Sequence, residues 1–253
     1  MATSRSKKIL LSIAGAAGLL LIWKFLSLII GSELILPPPE QVAVETVRLL
    51  GSRGFGSALG LTLFRGIAGF GISCLAGLAV GIAAGLSPTI YQLLRPLLST
   101  IKATPVMSVI LLALIWFTTG TVPIFSAFLM AFPIITGNII QGIREVDRNL
   151  LEMARVFRVH PRRVLFHLTI PSVFPYFLAG SSTALAITWK VVVAAEVLSQ
   201  PINALGTGLY EAKVQLETAE VFAWTVVAIL LSAVTERGFG LLMSRFRRRK
   251  HGV

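Results

Sequence analysis

The chain has 253 residues, of which 55% are hydrophobic and only 13% charged, and it carries a formal net charge of +12 at pH 7. Its mean hydropathy is +0.83, which excludes an ordinary soluble core and makes lipid the solvent for most of the chain. The basic residues sit at the ends of apolar runs and are not interleaved with aromatics on one face, so they report membrane topology and not nucleic-acid binding.

Six spans are predicted, each judged against the ~20 apolar residues that a helix needs to cross the hydrocarbon. The first, residues 9–30, follows Arg5, Lys7 and Lys8; it is too long for a signal peptide and lacks a small-residue cleavage site. Leu36-Pro37-Pro38-Pro39 then stops the chain, and the valines and leucines between Glu40 and Leu50 predict a short external surface helix. The second span, 66–86, contains Gly77, Gly81 and Gly85, a spacing of four that lets a neighbouring helix approach closely, chiefly within one subunit. Cys74 lies inside it as a small hydrophobe, and as the single cysteine it excludes an intrachain disulfide.

The third span, 106–117, is short; it starts nearer Leu97 if it is broken at Pro105. The fourth covers 122–140. A charged loop at 144–171 follows, then a fifth span at 174–198 and a sixth at 221–242. With both termini on one side, most of the 23 basic residues fall on that side: Arg5, Lys7 and Lys8, Arg95 and Lys102, the arginines from Arg144 to Arg163, Arg237 and the RFRRRK tail. The other side holds Glu33, Glu40, Glu45, Glu211, Glu217 and Glu220. Cytoplasmic termini are therefore expected.

Within the charged loop, Asp147 is placed to cap a helix and Glu152 lies near its N-terminal half. Pro161 forces a break at His160, and a second short helix is expected from Arg162 to Thr169, with Pro171 at membrane entry. Leu150, Leu151, Ala154, Val156, Phe157, Val164, Leu165 and Leu168 form an ordered apolar set that a lipid-bound connector does not need. Two angled helices held at both ends by spans make a rigid projection suited to taking force from a soluble partner.

Charges inside the spans are expensive enough to be paired, snorkelled or functional. Lys24 is expected to snorkel outward beside Trp23. Lys190 and Glu196 are six residues apart, a turn of about 240°, so each is expected to pair with another span; for Lys190 the alternative is attraction of an anionic solute. Enzymatic classes find little support. No glycine-rich loop ends in Lys-Ser or Lys-Thr, so phosphate cradling belongs to another polypeptide. His160, His167 and His251 have no partners at zinc-ligand spacing, and no span joins a histidine to Ser181 or Ser182 as an intramembrane serine protease requires.

The charged loop resembles the EAA motif of the inner-membrane permease subunits of ATP-binding-cassette (ABC) importers, whose pattern is Glu-Ala-Ala, a glycine six residues after the glutamate, and Ile-x-Leu-Pro at the end. Glu152, Met153 and Ala154 match the start and Leu168-Thr169-Ile170-Pro171 the end. Arg158 stands where glycine is usual, so the turn is expected to shift toward His160 and Pro161. The chain is most similar to the branch importing sulfonates, taurine, nitrate and thiamine-precursor pyrimidines, through Leu36-Pro37-Pro38-Pro39, Thr62-Leu63-Phe64-Arg65 with Gly69-Phe70, Leu94-Arg95-Pro96-Leu97, Ile115-Trp116-Phe117 with Gly120, Phe132-Pro133-Ile134, Gly142, Val146-Asp147 and the run from Trp189 to Glu196.

The resemblance implies an all-α membrane protein with a type I importer permease fold. It has six transmembrane helices, a cytoplasmic coupling helix between the fourth and fifth, and a single permease domain over 1–253. It implies a multi-pass protein of the bacterial inner membrane, paired with a second permease subunit, two ABC ATPase subunits and an extracytoplasmic solute-binding protein that docks near Gly120 and residues 203–220. ATP and Mg would bind the ATPase, with no cofactor on this chain. Glu152, Met153, Ala154, Phe157, Arg158, His160, Pro161 and Pro171 would be the ATPase-coupling residues; Trp189, Lys190 and Glu196 are the translocation-path candidates. The alternative is a secondary transporter or channel independent of an ATPase.

Overall fold

The structure, a computed structural model, describes residues 5–250; His251 lies outside the described residues, as do the side chains of Arg5, Lys8 and the basic run at 245–250. Among the described residues every regular element is helical. Five helical segments are long and apolar enough to cross a membrane, and a bent helix pair makes a sixth if it is taken as one broken span.

Helix α1 (Arg5–Ile30) exposes leucine and isoleucine along most of its length, as a lipid-facing helix would. Two of its side chains hold the proline segment that follows: Trp23 Nε1 donates to the Pro37 carbonyl at 3.1 Å and Ser27 Oγ to that of Leu36 at 2.9 Å. Lys24 is paired with Glu40, so the expected outward reach of this lysine ends on a carboxylate. Glu40 lies in the first turn of α2 (Pro39–Leu50), where proline at the first position and an acid near the N-terminus both favour helix. Val42 and Leu49 of α2 are buried, whereas Val44, Val47 and Leu50 are exposed.

Helix α3 (Phe55–Leu86) starts eleven residues before the predicted span and measures about 48 Å at 1.5 Å per residue. Arg65, just before the predicted span, is buried and neutralised, so the helix runs through it. Gly81 explains the contact with α6 (Val122–Arg144): a Cβ there would stand 2.7 Å from Ile139 Cβ, and Gly77 and Gly85 meet Ile135 and Ile143 in the same way. The glycine ladder is thus spent on packing inside one chain.

Where the short third span was expected there are two helices, α4 (Pro88–Ala103) and α5 (Val106–Trp116), bent by 99° across Thr104 and Pro105. Thr104, before the proline, is extended at φ −70°, ψ 127°, as the proline ring demands. Ser87 Oγ caps α4 by accepting from Ile90 N.

Helices α7 (Arg148–Val156) and α8 (Pro161–Val164) form the connection to the next span. The expected separate helix at 162–169 is corrected: α8 runs through a π-helical turn, Leu165–Thr169, into α9 (Ile170–Ser199). Pro171 supplies the reason, since it has no N–H for the His167 carbonyl and its ring crowds that carbonyl, and a widened turn relieves both. Helices α6 and α9 pack side by side in opposite senses: a Cβ on Gly142 would meet Tyr176 at 2.9 Å, and one on Gly180 would meet Asn138 at 2.7 Å. Ala131, Ile135, Ile139 and Ala184 fill the core between them.

Helix α10 (Leu205–Val214) was not foreseen, because its glycines and charges read as loop. It forms because Gly208 packs under Trp224 of α11 (Thr218–Lys250), where a Cβ would stand 2.5 Å from the indole.

Candidate functional site

The connection between α6 and α9 is built from local rules. Asp147 Oδ1 accepts from Asn149 N at 2.8 Å and starts α7. The helix stops in a Schellman turn: Val159 N donates to the Ala154 carbonyl at 2.9 Å and Arg158 N to that of Arg155 at 3.0 Å. Arg158 occupies the left-handed position at φ +50°. The expected shift of the turn toward His160 and Pro161 is therefore corrected; the turn is made at Arg158, with a residue that pays about 1–2 kcal/mol for a conformation glycine takes freely. His160 Nδ1 then accepts from Arg162 N at 3.3 Å, and Pro161 takes the first helical position of α8.

The two helices enclose an apolar cleft of about 480 Å³ lined by Leu150, Met153, Ala154, Val159, Val164 and Leu168, among others. Val159 closes the hydrophobic contact that accompanies this type of helix stop. Beside the cleft, Phe157 and Val156 are 74% and 78% exposed, and Met153 is 51% exposed. Glu152, Arg158, His160, Pro161 and Pro171 are also exposed, whereas Ala154 is half-buried. The element thus presents a preformed, largely apolar surface flanked by arginines, held by α6 at one end and α9 at the other.

The intramembrane candidates separate into two environments. Glu196 is completely buried and Arg65 nearly so. Arg65 Nη1 donates to Glu196 Oε1 at 2.9 Å, and Thr62 Oγ1 lies 2.9 Å from both carboxylate oxygens. Gly206 N donates to Oε2 at 3.2 Å, and Leu205 N donates to Thr62 Oγ1 at 3.0 Å. The same Nη1 also donates to the Asn203 carbonyl and Nη2 to that of Ile202, each at 3.4 Å. The carboxylate thereby ties α3 and α9 to the start of α10, and its arginine holds the turn before it. The turn needs left-handed residues at Gln200 and Asn203. A Cβ on Gly206 would stand 2.4 Å from Glu196 Cβ, so glycine is required there.

Trp189 is also buried, its ring lying where a Cβ of Gly66 would be. Of the three path candidates, Trp189 and Glu196 are enclosed in packing; Lys190 is exposed, with no ion pair among the described residues. It stands on one stripe of α9 with Ala179, Ser182, Thr183 and Ala186, all small. The partners of Glu196 were missed from sequence alone. The available signal was Thr62 and Arg65 at a spacing of three, which puts a hydroxyl and a guanidinium on one helix face.

Comparison with known proteins agrees with this architecture. Residues 77–248 match the family described as the binding-protein-dependent transport system inner membrane component. The chain is 30% identical over 247 residues to the taurine transport system permease protein TauC of Escherichia coli (strain K12), covering 95% of this chain and 90% of that protein. It is 28% identical to the putative aliphatic sulfonates transport permease protein SsuC of Bacillus subtilis (strain 168), covering 89% and 82%. With the nitrate import permease protein NrtB of Synechocystis sp. (strain ATCC 27184 / PCC 6803 / Kazusa) it shares 26% identity over 95% and 87% of the two chains. Among solved structures, an amino acid ABC transporter crystallised with histidines shares the fold at a TM-score of 0.61 and 20% identity, covering 78% of this chain and 94% of that one. With the family matched over residues 77–248 and a 30% identical permease relative matched over 95% of the chain, this chain belongs to the binding-protein-dependent transport system inner membrane components, the multi-pass permease subunits of ABC importers.

Proposed function

We propose that this permease pairs with a second permease subunit to form the path for a small anion or heterocycle, of the sulfonate, taurine, nitrate or thiamine-precursor class. Separate ATPase subunits bind ATP and Mg and drive it, and an extracytoplasmic protein delivers the solute. The termini and the 144–171 loop face the cytoplasm, following the distribution of lysine and arginine. The solute class rests on what the relatives carry by name: taurine, sulfonates, nitrate and, in Synechococcus elongatus, bicarbonate.

The observation that carries the reading is the α7–α8 element. Exposed Met153, Val156 and Phe157 beside an apolar cleft, on a capped and anchored pair of helices, offer a soluble partner a surface that moves α6 and α9 with it. Glu152, Met153, Ala154, Phe157, Arg158, His160, Pro161 and Pro171 form or support that surface. When two ATPases close on ATP the elements are drawn together; hydrolysis releases them.

Lys190 serves the path. A free ammonium on the small-residue stripe of a spanning helix attracts an anion at a depth where no other exposed charge of α9 lies. Glu196 and Trp189 hold the frame behind it. The test is reconstitution with the ATPase and binding protein: Phe157→Ala is expected to lower solute-stimulated ATP hydrolysis, and unchanged stimulation contradicts the docking role.

A further inference from the structure

The end of the bundle that bears the α7–α8 element also carries a cavity that neither the coupling surface nor the Lys190 stripe uses. It measures about 380 Å³ and lies between α4 and the last turns of α6. Arg95, Lys102 and Arg144 line it, together with the Ser99 hydroxyl, the Gln141 amide and the Tyr91 ring. Glu145 is the acid on its wall, and it makes no ion pair with these cations among the described residues.

The convergence is built by two helix faces. Tyr91, Arg95, Ser99 and Lys102 recur at spacings of three and four along α4, as Gly137, Gln141 and Arg144 do along α6. One of the cations is also positioned. The Arg144 guanidinium lies over the Tyr91 ring, with Cζ 3.7 Å from its centroid, an arrangement that fixes its plane. The Lys102 ammonium reaches across to α6, 3.4 Å from where a Cβ on Gly137 would be. Membrane orientation requires basic residues on one side but not three of them around one hollow. The negative end of the α6 dipole accounts for one cation in its last turn, not for Arg95 and Lys102 on another helix.

We propose that this cavity is an oxyanion site, taking a phosphate- or sulfate-type group whose several acceptor oxygens are held by Arg95, Lys102 and Arg144 and by the Ser99 and Gln141 donors. Guanidinium and ammonium groups together suit such a ligand through charge-assisted hydrogen bonds. The group is supplied either as a free ion or as the head of an anionic lipid. The site stands on the chain itself and does not depend on the importer reading, so the test uses the isolated full-length permease without an ATPase.

Radiolabelled inorganic sulfate is titrated onto the purified chain in nanodiscs of phosphatidylcholine alone, with Lys102→Gln, Arg144→Gln, Ser99→Phe and, as a charge control outside the cavity, Arg148→Gln. The first three variants are expected to weaken sulfate binding about tenfold or more while Arg148→Gln leaves it unchanged. Ser99→Phe keeps all three cations and fills the hollow, so retained binding in that variant overturns the site. In a second arm, phosphatidylglycerol retained on the chain is counted by native mass spectrometry. Sulfate binding that the variants lose identifies a free-ion site; no sulfate binding, with phosphatidylglycerol retained by the wild type and lost from Lys102→Gln and Arg144→Gln, identifies a headgroup site. If neither probe distinguishes the wild type from these variants, each eluting as the wild type does, the proposal is wrong.

Discussion

Breaking the Arg65–Glu196 pair tests how α3 and α9 are held to the start of α10. In Arg65→Met, the Glu196 carboxylate keeps Thr62 and the Gly206 N–H but loses the one counter-charge it has among the described residues, in a fully buried position. In Glu196→Met, Arg65 keeps only the Ile202 and Asn203 carbonyls, both at 3.4 Å. Stranding one member of a buried pair costs about 3–5 kcal/mol. At roughly 2–4 °C per kcal/mol for a chain of this size, each single variant should melt about 10 °C lower. The double variant Arg65→Met/Glu196→Met removes both charges and leaves two neutral donors unsatisfied, so it should melt closer to the wild type than either single variant. Thermal unfolding in detergent, followed by tryptophan fluorescence, reads all four proteins. Single variants within about 2 °C of the wild type, or a double variant that loses the sum of both, would refute the account of this pair.

Arg158→Gly should raise the melting temperature by a few degrees, because about 1 kcal/mol of left-handed strain disappears, whereas Arg158→Val should lower it; equal melting for both contradicts the φ of +50°. Lys190→Ala should cut solute uptake about tenfold or more, with melting unchanged since the side chain is exposed and makes no ion pair among the described residues; normal uptake removes Lys190 from the proposed path. The hydrogen bond from Lys24 holds the exposed Glu40 carboxyl below its ordinary value of 4.5. A depressed folded-state value contributes stability above the unfolded value and loses it as pH falls through the folded one. Acidification below about pH 4.5 should therefore loosen the α1–α2 junction, read as faster proteolysis near residues 31–38, and Glu40→Gln should show that faster cleavage already at neutral pH.

How much was legible in the sequence depended on how local the cause was. The α7–α8 element was readable because Asp147, Pro161 and the apolar set act over one or two helical turns, and the structure places a cap, a break and a cleft from those same residues. Arg158 misled because sequence rules penalise a non-glycine residue in the left-handed region without forbidding it, and two backbone hydrogen bonds fix it there. The start of α3 was hidden because Arg65 counts against an apolar run until its partner is known, and that partner lies 131 residues away. The same separation hid why Glu196 is buried, and with it the reason for Gly206. Helix α10 was lost for a related cause: its glycines are contact points for Glu196 and Trp224, which only the assembled fold brings near.

In the proposed importer, the solute moves only when an ATPase pulls on the α7–α8 element. Proteoliposomes containing the permease, its ATPase and its binding protein measure this directly, with Glu152→Lys beside the wild type. Solute uptake that requires ATP, with solute-stimulated hydrolysis abolished in Glu152→Lys while the variant still inserts and melts as the wild type, is the predicted result. Uptake in ATP-free vesicles driven by an ion gradient, or unaltered hydrolysis in Glu152→Lys, would contradict it.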